Sequence, residues 1–427
     1  MPNFIGPAFK GPRRKPIFLT DNRRGIVVNA ESSFEDEQNI QTSPLKVLVI
    51  VGDFPPIFGG CADYTALFAE ELVAVGVGVT VLTTIVQGEE SRSFVRGVDI
   101  RRRISEWRLS ELRSILKVID ETDPATIVHL MYGGYIIRRK PMVNLLPLLL
   151  RVLRPRRRVI VTLHEFRTQR KRYRIWALPM IMAAHGLIFV DEPDREPLLR
   201  WTKLKRPKMV CIPISSNILP VSVTDEKREM WRQRLGITDA TPVVTFFGGV
   251  SRQKGLLDLL HAINELQRAS IPGCLLIVGW FFPGFAKNSG YEREVREGIK
   301  DGIAAGWIKL VEKCPPEMVS EYLHASDVVV LPFARGARSN NGSLLAAIVH
   351  GLPVLTTEGP DTPVRFAEEY GVALVPSGNP SAFSARLKDI LLSEGQRQSL
   401  KTKALQAAKS LSWSQTARKA VQFYRSL

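Results

Sequence analysis

Residues 242–267 read PVVTFFGGVSRQKGLLDLLHAINELQ. An apolar run ends in a glycine pair, a polar loop follows, and Leu256, Leu257, Leu260 and Ile263 then recur at helical spacing. The order is strand, loop, helix. The same plan opens the first half at 46–76, where KVLVIVGDFPPIFGG leads into DYTALFAEELVAVG with Tyr64, Leu67, Phe68 and Leu72 on one face behind Asp63. Two such starts, about 200 residues apart, predict an α/β chain of two Rossmann-like, doubly wound domains facing across a cleft.

Further apolar runs support that reading. In the first half they fall at 79–83, 126–130, 158–163 and 186–190, and in the second at 274–279, 308–311, 327–332 and 353–356. Parallel strands covered by helices on both faces are apolar throughout, and helical patterns such as Leu109, Leu112, Ile115, Leu116 and Ile119 lie between the runs. The predicted boundaries are a disordered or extended leader at 1–43, a first domain at 44–218, a second at 219–410 and a terminal helix at 411–427. That helix can pack back on the first domain, a placement the pattern leaves open.

With 427 residues, 45% hydrophobic and 24% charged, the composition is globular and excludes fibrous and largely disordered classes. Cys61, Cys211, Cys274 and Cys314 form neither a zinc framework nor a disulfide pattern, which points to a reducing, cytoplasmic compartment. No run reaches the length of a membrane span. Formal net charge is +17, and thirteen Lys or Arg against one acid, Glu165, fall between Arg138 and Arg174. This segment reads as a solvated basic face, as a patch for an anionic membrane surface on the inner face of the membrane, or as a nucleic-acid surface. The last is disfavoured because no stacking aromatics alternate with the arginines of RRKPMVNLLPLLLRVLRPRRR, residues 138–158.

The loops carry the candidate chemistry. Gly59 and Gly60 lie between a strand and a helix, where the backbone can approach a ligand and free helix N–H groups favour an anion. Gly248 and Gly249 end the second strand, and Lys254, with Arg252 two residues before it, stands ahead of a helix where an ammonium can pair with phosphate. In LPFARGARSNNGSLLAAIVHGLPVLTT, Ser343 or the Asn340–Asn341 pair is placed to cap a helix that starts after a strand. Taken singly, each has a bland alternative as a tight turn or a solvated loop. Asp327 reads as a strand brace.

The stretches GDFPPIFGGCADYTALFAEEL, VIVTLHEF, IPISSNI, FFGGVSRQKGLLDLLHAI, ASDVVVLPF and GSLLAAIVHGLPVLTT, in order from about 45 to about 360, resemble the retaining GT-B glycosyltransferases of family 4, the glycosyl transferases group 1. The resemblance implies transfer of a sugar from a UDP- or GDP-sugar to an acceptor hydroxyl, the acceptor being a glycan or lipid-linked saccharide as in polysaccharide or glycoconjugate assembly. It implies no metal and no other cofactor. Attack would come from the front side, with the leaving diphosphate taking the acceptor's proton, a hexosyltransferase route without a protein nucleophile. Donor contacts would then come from Gly59, Gly60, Gly249, Arg252, Lys254, Asn341, Gly342, Ser343 and Leu344. His164, at a strand end in TLHEF, and His129, in IVHLMYGGY, are the candidate catalytic histidines beside Lys254. Glu165 reads as an acceptor-side base or an ion-pair partner.

The chain departs from the family at one point. Two Glu separated by seven residues are usual in the third segment, and Arg338 and Ala346 stand there instead. Glu358 is the candidate replacement carboxylate toward a ribose. The loss also opens an alternative, a non-catalytic GT-B module that binds a sugar nucleotide or scaffolds a partner. An NAD(P) oxidoreductase would need GxGxxG at the first loop, which GDFPPIFGG does not provide.

Overall fold

The computed structural model describes residues 44–57, 59–133, 136–137, 140–164, 166, 171–194, 197–199, 207–237, 241–281, 289–312 and 314–427. Two sheets organise them. The first is built from β1 (Lys46–Ile50), β2 (Gly78–Thr84), β3 (Arg92–Val95), β4 (Val98–Ile104), β5 (Ile127–Tyr132), β6 (Val159–Leu163), β7 (Gly186–Phe189) and β8 (Lys208–Cys211). Their spatial order is β3-β4-β2-β1-β5-β6-β7-β8, parallel except for the β3–β4 hairpin at the edge. The second contains β9 (Val243–Gly249), β10 (Cys274–Trp280), β11 (Ile308–Glu312), β12 (Val328–Leu331), β13 (Val354–Glu358) and β14 (Val372–Pro376). Its order is β11-β10-β9-β12-β13-β14, parallel throughout.

Each sheet therefore turns back on itself once. Beside β1 the order reverses between β2 and β5, and beside β9 between β10 and β12. The carboxyl ends of strands at such a reversal leave a crevice, because the connections leave in opposite directions. The two strand-loop-helix starts of the sequence are the segments that leave these points.

Helices cover both faces. In the first half they are α1 (Gly60–Ala74), α2 (Leu112–Asp120), α3 (Pro141–Leu153), α4 (Lys171–Trp176) and α5 (Leu178–Ala183). The second half holds α6 (Asp225–Arg234), α7 (Leu256–Arg268), α8 (Ser289–Ala304), α9 (Pro316–His324), α10 (Gly342–Val349), α11 (Arg365–Glu368), α12 (Pro380–Leu392), α13 (Glu394–Ala408) and α14 (Trp413–Arg425). On one face of the first sheet Leu48, Ile50, Val128 and Leu130 pack with Ile115, Leu146 and Leu150. On the other, Val47 and Val49 pack with Tyr64, Phe68 and Leu72 of α1. Alternate strand residues point to opposite faces, so both must be apolar where both are covered.

The last helix joins the first-sheet core. Trp413, Ala417, Ala420, Phe423 and Tyr424 pack among the α1 residues. Trp413 Nε1 donates to the Ser216 carbonyl at 2.7 Å, and Phe423 lies so near Gly186 that a Cβ there would come within 2.8 Å of its ring. Asp327 braces the second sheet: it accepts from Val243 N–H at 2.7 Å and from Arg228 and the buried Arg232 at 2.7 and 3.1 Å. Among the described residues no helix is long and apolar enough to cross a membrane.

Candidate functional site

At the second sheet's reversal, β9 ends in Gly248 and Gly249, and a short 3-10 turn, Arg252–Lys254, leads to α7. Gly255 joins turn to helix with φ 67°, and a Cβ on it would meet the Pro332 carbonyl oxygen at 1.9 Å. Only glycine permits both the left-handed backbone and this approach to the loop after β12. The approach holds Lys254 in place. Its Nζ donates to Ser343 Oγ at 3.2 Å and lies 4.8 Å from the centre of the Phe333 ring. No carboxylate pairs with it among the described residues, and burial pulls its pKa down to about 8.

Ser343 opens α10. The Asn341 side chain occupies the cap position without capping the helix, because its Oδ1 accepts from the Arg338 backbone N–H at 2.7 Å. The expectation that Ser343 or the asparagine pair caps α10 is thus corrected: no side chain does so. The first intrahelical bond is Leu345 N–H to the Asn341 carbonyl. The amides of Gly342, Ser343 and Leu344 are left without an acceptor among the described residues. Leu344 contributes only that amide, since its side chain is in the core. At the carboxyl edge of β9 an ammonium thus stands beside the start of α10, where the helix dipole and these amides favour an anion.

Other residues named for this site fall elsewhere. Arg252 is exposed, its guanidinium 5.4 Å from the Tyr291 ring centre and 4.0 Å from Glu294. Glu358 is exposed at the carboxyl end of β13, paired there with β14, and its carboxylate has no partner among the described residues. Arg338 is ion-paired to Asp361 at 3.0 Å.

At the first sheet's reversal, open space lies over Gly59 and Gly60, whose Cβ positions meet nothing within 4 Å. The Gly60 carbonyl accepts from Asn217 Nδ2 at 3.3 Å. Three residues on, in the first turn of α1, burial pushes the Asp63 carboxyl up to about 6. His164 directly follows β6. Its ring stands edge-on to Tyr64 at 4.6 Å, and a Cβ on Gly133 would come within 2.9 Å of it. Its Nε2 is buried without a partner among the described residues, and burial lowers its pKa to about 4, so the imidazole is neutral near pH 7.

His129 requires a correction. It lies at the middle of β5 and is fully buried. Its Nδ1 meets the Tyr424 hydroxyl and its Nε2 the Thr162 hydroxyl, each at 2.7 Å. Burial lowers its pKa to about 3. With both nitrogens engaged inside the sheet, it holds the terminal helix to β5 and β6 and is no catalytic histidine. Glu165 lies outside the described residues.

One link between the lobes was absent from the sequence reading. Asp191, just past β7, is buried with its carboxyl against the Ser339 hydroxyl and near Arg338, Arg365 and Asp361. Burial raises its pKa, an effect that the Ser339 hydrogen bond and the two arginines oppose and Asp361 reinforces. Arg365 also donates to Ser339 Oγ at 3.2 Å. The loop that opens α10 therefore touches the first lobe.

Comparison with known proteins agrees with this geometry. Residues 241–393 match the family model described as glycosyl transferases group 1. The second lobe of the chain is similar to that family. A D-inositol 3-phosphate glycosyltransferase of Corynebacterium urealyticum is 31% identical over 211 residues, 48% of this chain and 47% of that protein. The chain thus spans about half the length of the curated relatives it matches. Among solved structures, sucrose-phosphate synthase of Thermosynechococcus elongatus aligns with a TM-score of 0.71 at 19% identity, over 90% of this chain and 98% of that one. The Anabaena protein HepE, solved with UDP and glucose, aligns at 0.68 and 13% identity, over 90% and 100%. These structural likenesses show the GT-B fold.

Proposed function

We propose that this chain is a group 1 glycosyltransferase that transfers a sugar from a nucleotide sugar to an acceptor hydroxyl, with retention at the anomeric carbon. The observation that carries the reading is the Lys254 ammonium, partly buried, without a carboxylate, and 3.2 Å from Ser343 at the uncapped start of α10. A diphosphate supplies the missing anion. As the bond to the sugar breaks, negative charge grows on the leaving phosphate oxygens, and donors already aimed there stabilise it without reorganising. Lys254, the amides of Gly342, Ser343 and Leu344, and the Gly248–Gly249 backbone are the groups for this task. HepE, whose structure holds UDP and glucose, supports a nucleotide sugar as donor; the base and the sugar are left to experiment.

On the acceptor side, the proposal assigns His164 to the sugar being transferred. A neutral imidazole can exchange hydrogen bonds with hydroxyls at no charging cost. The groups on the first lobe suit an uncharged acceptor hydroxyl, in line with a glycan or lipid-linked saccharide.

A thermal-shift series with UDP, GDP, ADP and their sugars tests the donor half. One nucleotide series raises the melting temperature, since a ligand of the folded state stabilises it by mass action, and Lys254→Ala abolishes the rise. A rise that survives in Lys254→Ala places the nucleotide elsewhere. A second reading, a binding module without turnover, is favoured by Arg338 and Ala346 at the positions of the usual glutamates. Nucleotide binding without release of free UDP or GDP across a panel of acceptors would establish it.

A further inference from the structure

The helix α3 is apolar on two sides. Met142, Val143, Leu146 and Leu150 enter the core. Leu145, Leu148 and Val152 are exposed, Val152 at 72%, and their spacing of three and four residues puts them on one outward stripe. A helix of a soluble lobe ordinarily places polar side chains there. Past the stripe, Arg156 and Arg158 are exposed and have no carboxylate partner among the described residues. Beyond β6, α4 adds the exposed Lys171, Arg172, Ile175 and Trp176 and runs through Ala177 into α5, which packs along α3.

The three arginines at 156–158 are not equivalent. Arg157 is buried, and its guanidinium donates to the carbonyls of Ile119, Thr122 and Asp123, closing the end of α2. Arg154 is paired in two places with Asp120. Arg156 and Arg158 have no such structural duty, so their charge is available to a partner.

We infer that the α3 face, with its flanking arginines, docks on an anionic bilayer surface: Leu145, Leu148 and Val152 enter the headgroup boundary while Arg156 and Arg158 contact lipid phosphates. The charge argument selects the occupant. Of the thirteen basic residues against one acid in 138–174, Arg154 and Arg157 are engaged by the fold, while the exposed Arg156, Arg158, Lys171 and Arg172 suit a surface that is negative everywhere, and an aliphatic stripe suits acyl chains. A basic side chain near such a surface is worth about fivefold in binding.

The test uses the full chain and sedimentation with sucrose-loaded vesicles, of pure phosphatidylcholine or with phosphatidylglycerol added. The wild-type chain is expected to pellet with the anionic vesicles and not the neutral ones, and to be released by salt. Arg156→Ser with Arg158→Ser should weaken binding about twentyfold to thirtyfold. Leu148→Ser with Val152→Ser should weaken it about tenfold or more, because each buried methylene contributes. These side chains are exposed, so melting temperature and the nucleotide-induced shift should be unchanged in both variants. That shift reports the donor site separately, so each reading can fail alone. Equal pelleting of the variants and wild type, equal binding to neutral vesicles, or no binding by the wild type each overturns the inference. So does a dimer that the stripe variant abolishes, which would give the face to a second copy of the chain.

Discussion

The two sheet reversals are built alike and finished differently. Beside β9 the polar groups of the candidate site are donors: one ammonium, bonded to Ser343 Oγ, and three amides free among the described residues. Beside β1 they are an imidazole kept neutral and a carboxyl whose pKa lies near 6. On the proposed function, one edge takes the permanent anion and the other a ligand without charge. Two copies of one backbone plan would then divide a polar substrate pair through the side chains at their strand ends.

The strongest way to break this contrast is to neutralise the donor edge. Lys254→Met should cut turnover about a hundredfold to a thousandfold, measured as nucleotide release at saturating acceptor. The wild-type ammonium also predicts a pH signature. With its pKa lowered to about 8, the free protein loses the charge above that pH. Nucleotide binding should then weaken about tenfold per pH unit and take up a proton, which calorimetry in two buffers detects. Ligand-free stability should rise between pH 8 and 10.5, where the unfolded chain holds a proton that the folded one releases. Lys254→Arg keeps its charge, so its binding profile should stay flat across pH 8.

A smaller effect belongs to the neutral edge. His164→Ala should lower turnover about tenfold to a hundredfold by misplacing the sugar, while leaving the nucleotide-induced melting shift intact. Loss of that shift would mean that the two edges do not divide the substrate as proposed. The smallest effect concerns Asp63. Its pKa is raised in the fold, so its stabilisation is complete below pH 3.8 and is lost as pH rises through 6. Asp63→Asn should therefore stabilise the chain by about 1 to 2 kcal/mol above pH 6 and flatten the slope between pH 4 and 6. Urea melts at several pH values measure both.

Where structure was local, residues in sequence sufficed. Covered parallel strands are uniformly apolar, so β1, β5, β6 and β9 were legible, as was the run from Gly248 to Lys254 that leaves β9. The strand β4 was not, because VDIRRRI carries three arginines. Arg101 is satisfied inside by Asp99 and Glu121, and Arg102 by Ser93 and the Pro55 carbonyl. Apart from Asp99 in the same strand, those partners come from other segments, which periodicity cannot see. The short β8 and β14 were missed as well. In the site, Asp191 and Arg365 were invisible for the same reason: they meet at Ser339 from loops far apart in the chain. His129 was misplaced because a histidine at the centre of a strand and one at its end look alike until the hydroxyls of Thr162 and Tyr424 are brought beside it.

The hydrogen bond between His129 and Tyr424 spans 295 positions, and this has a consequence during synthesis. The lobe translated first cannot close its core until α14 has left the ribosome, because α14 supplies part of that core. Until release, α1 offers a greasy trough and β5 an unmatched imidazole, a natural station for a chaperone.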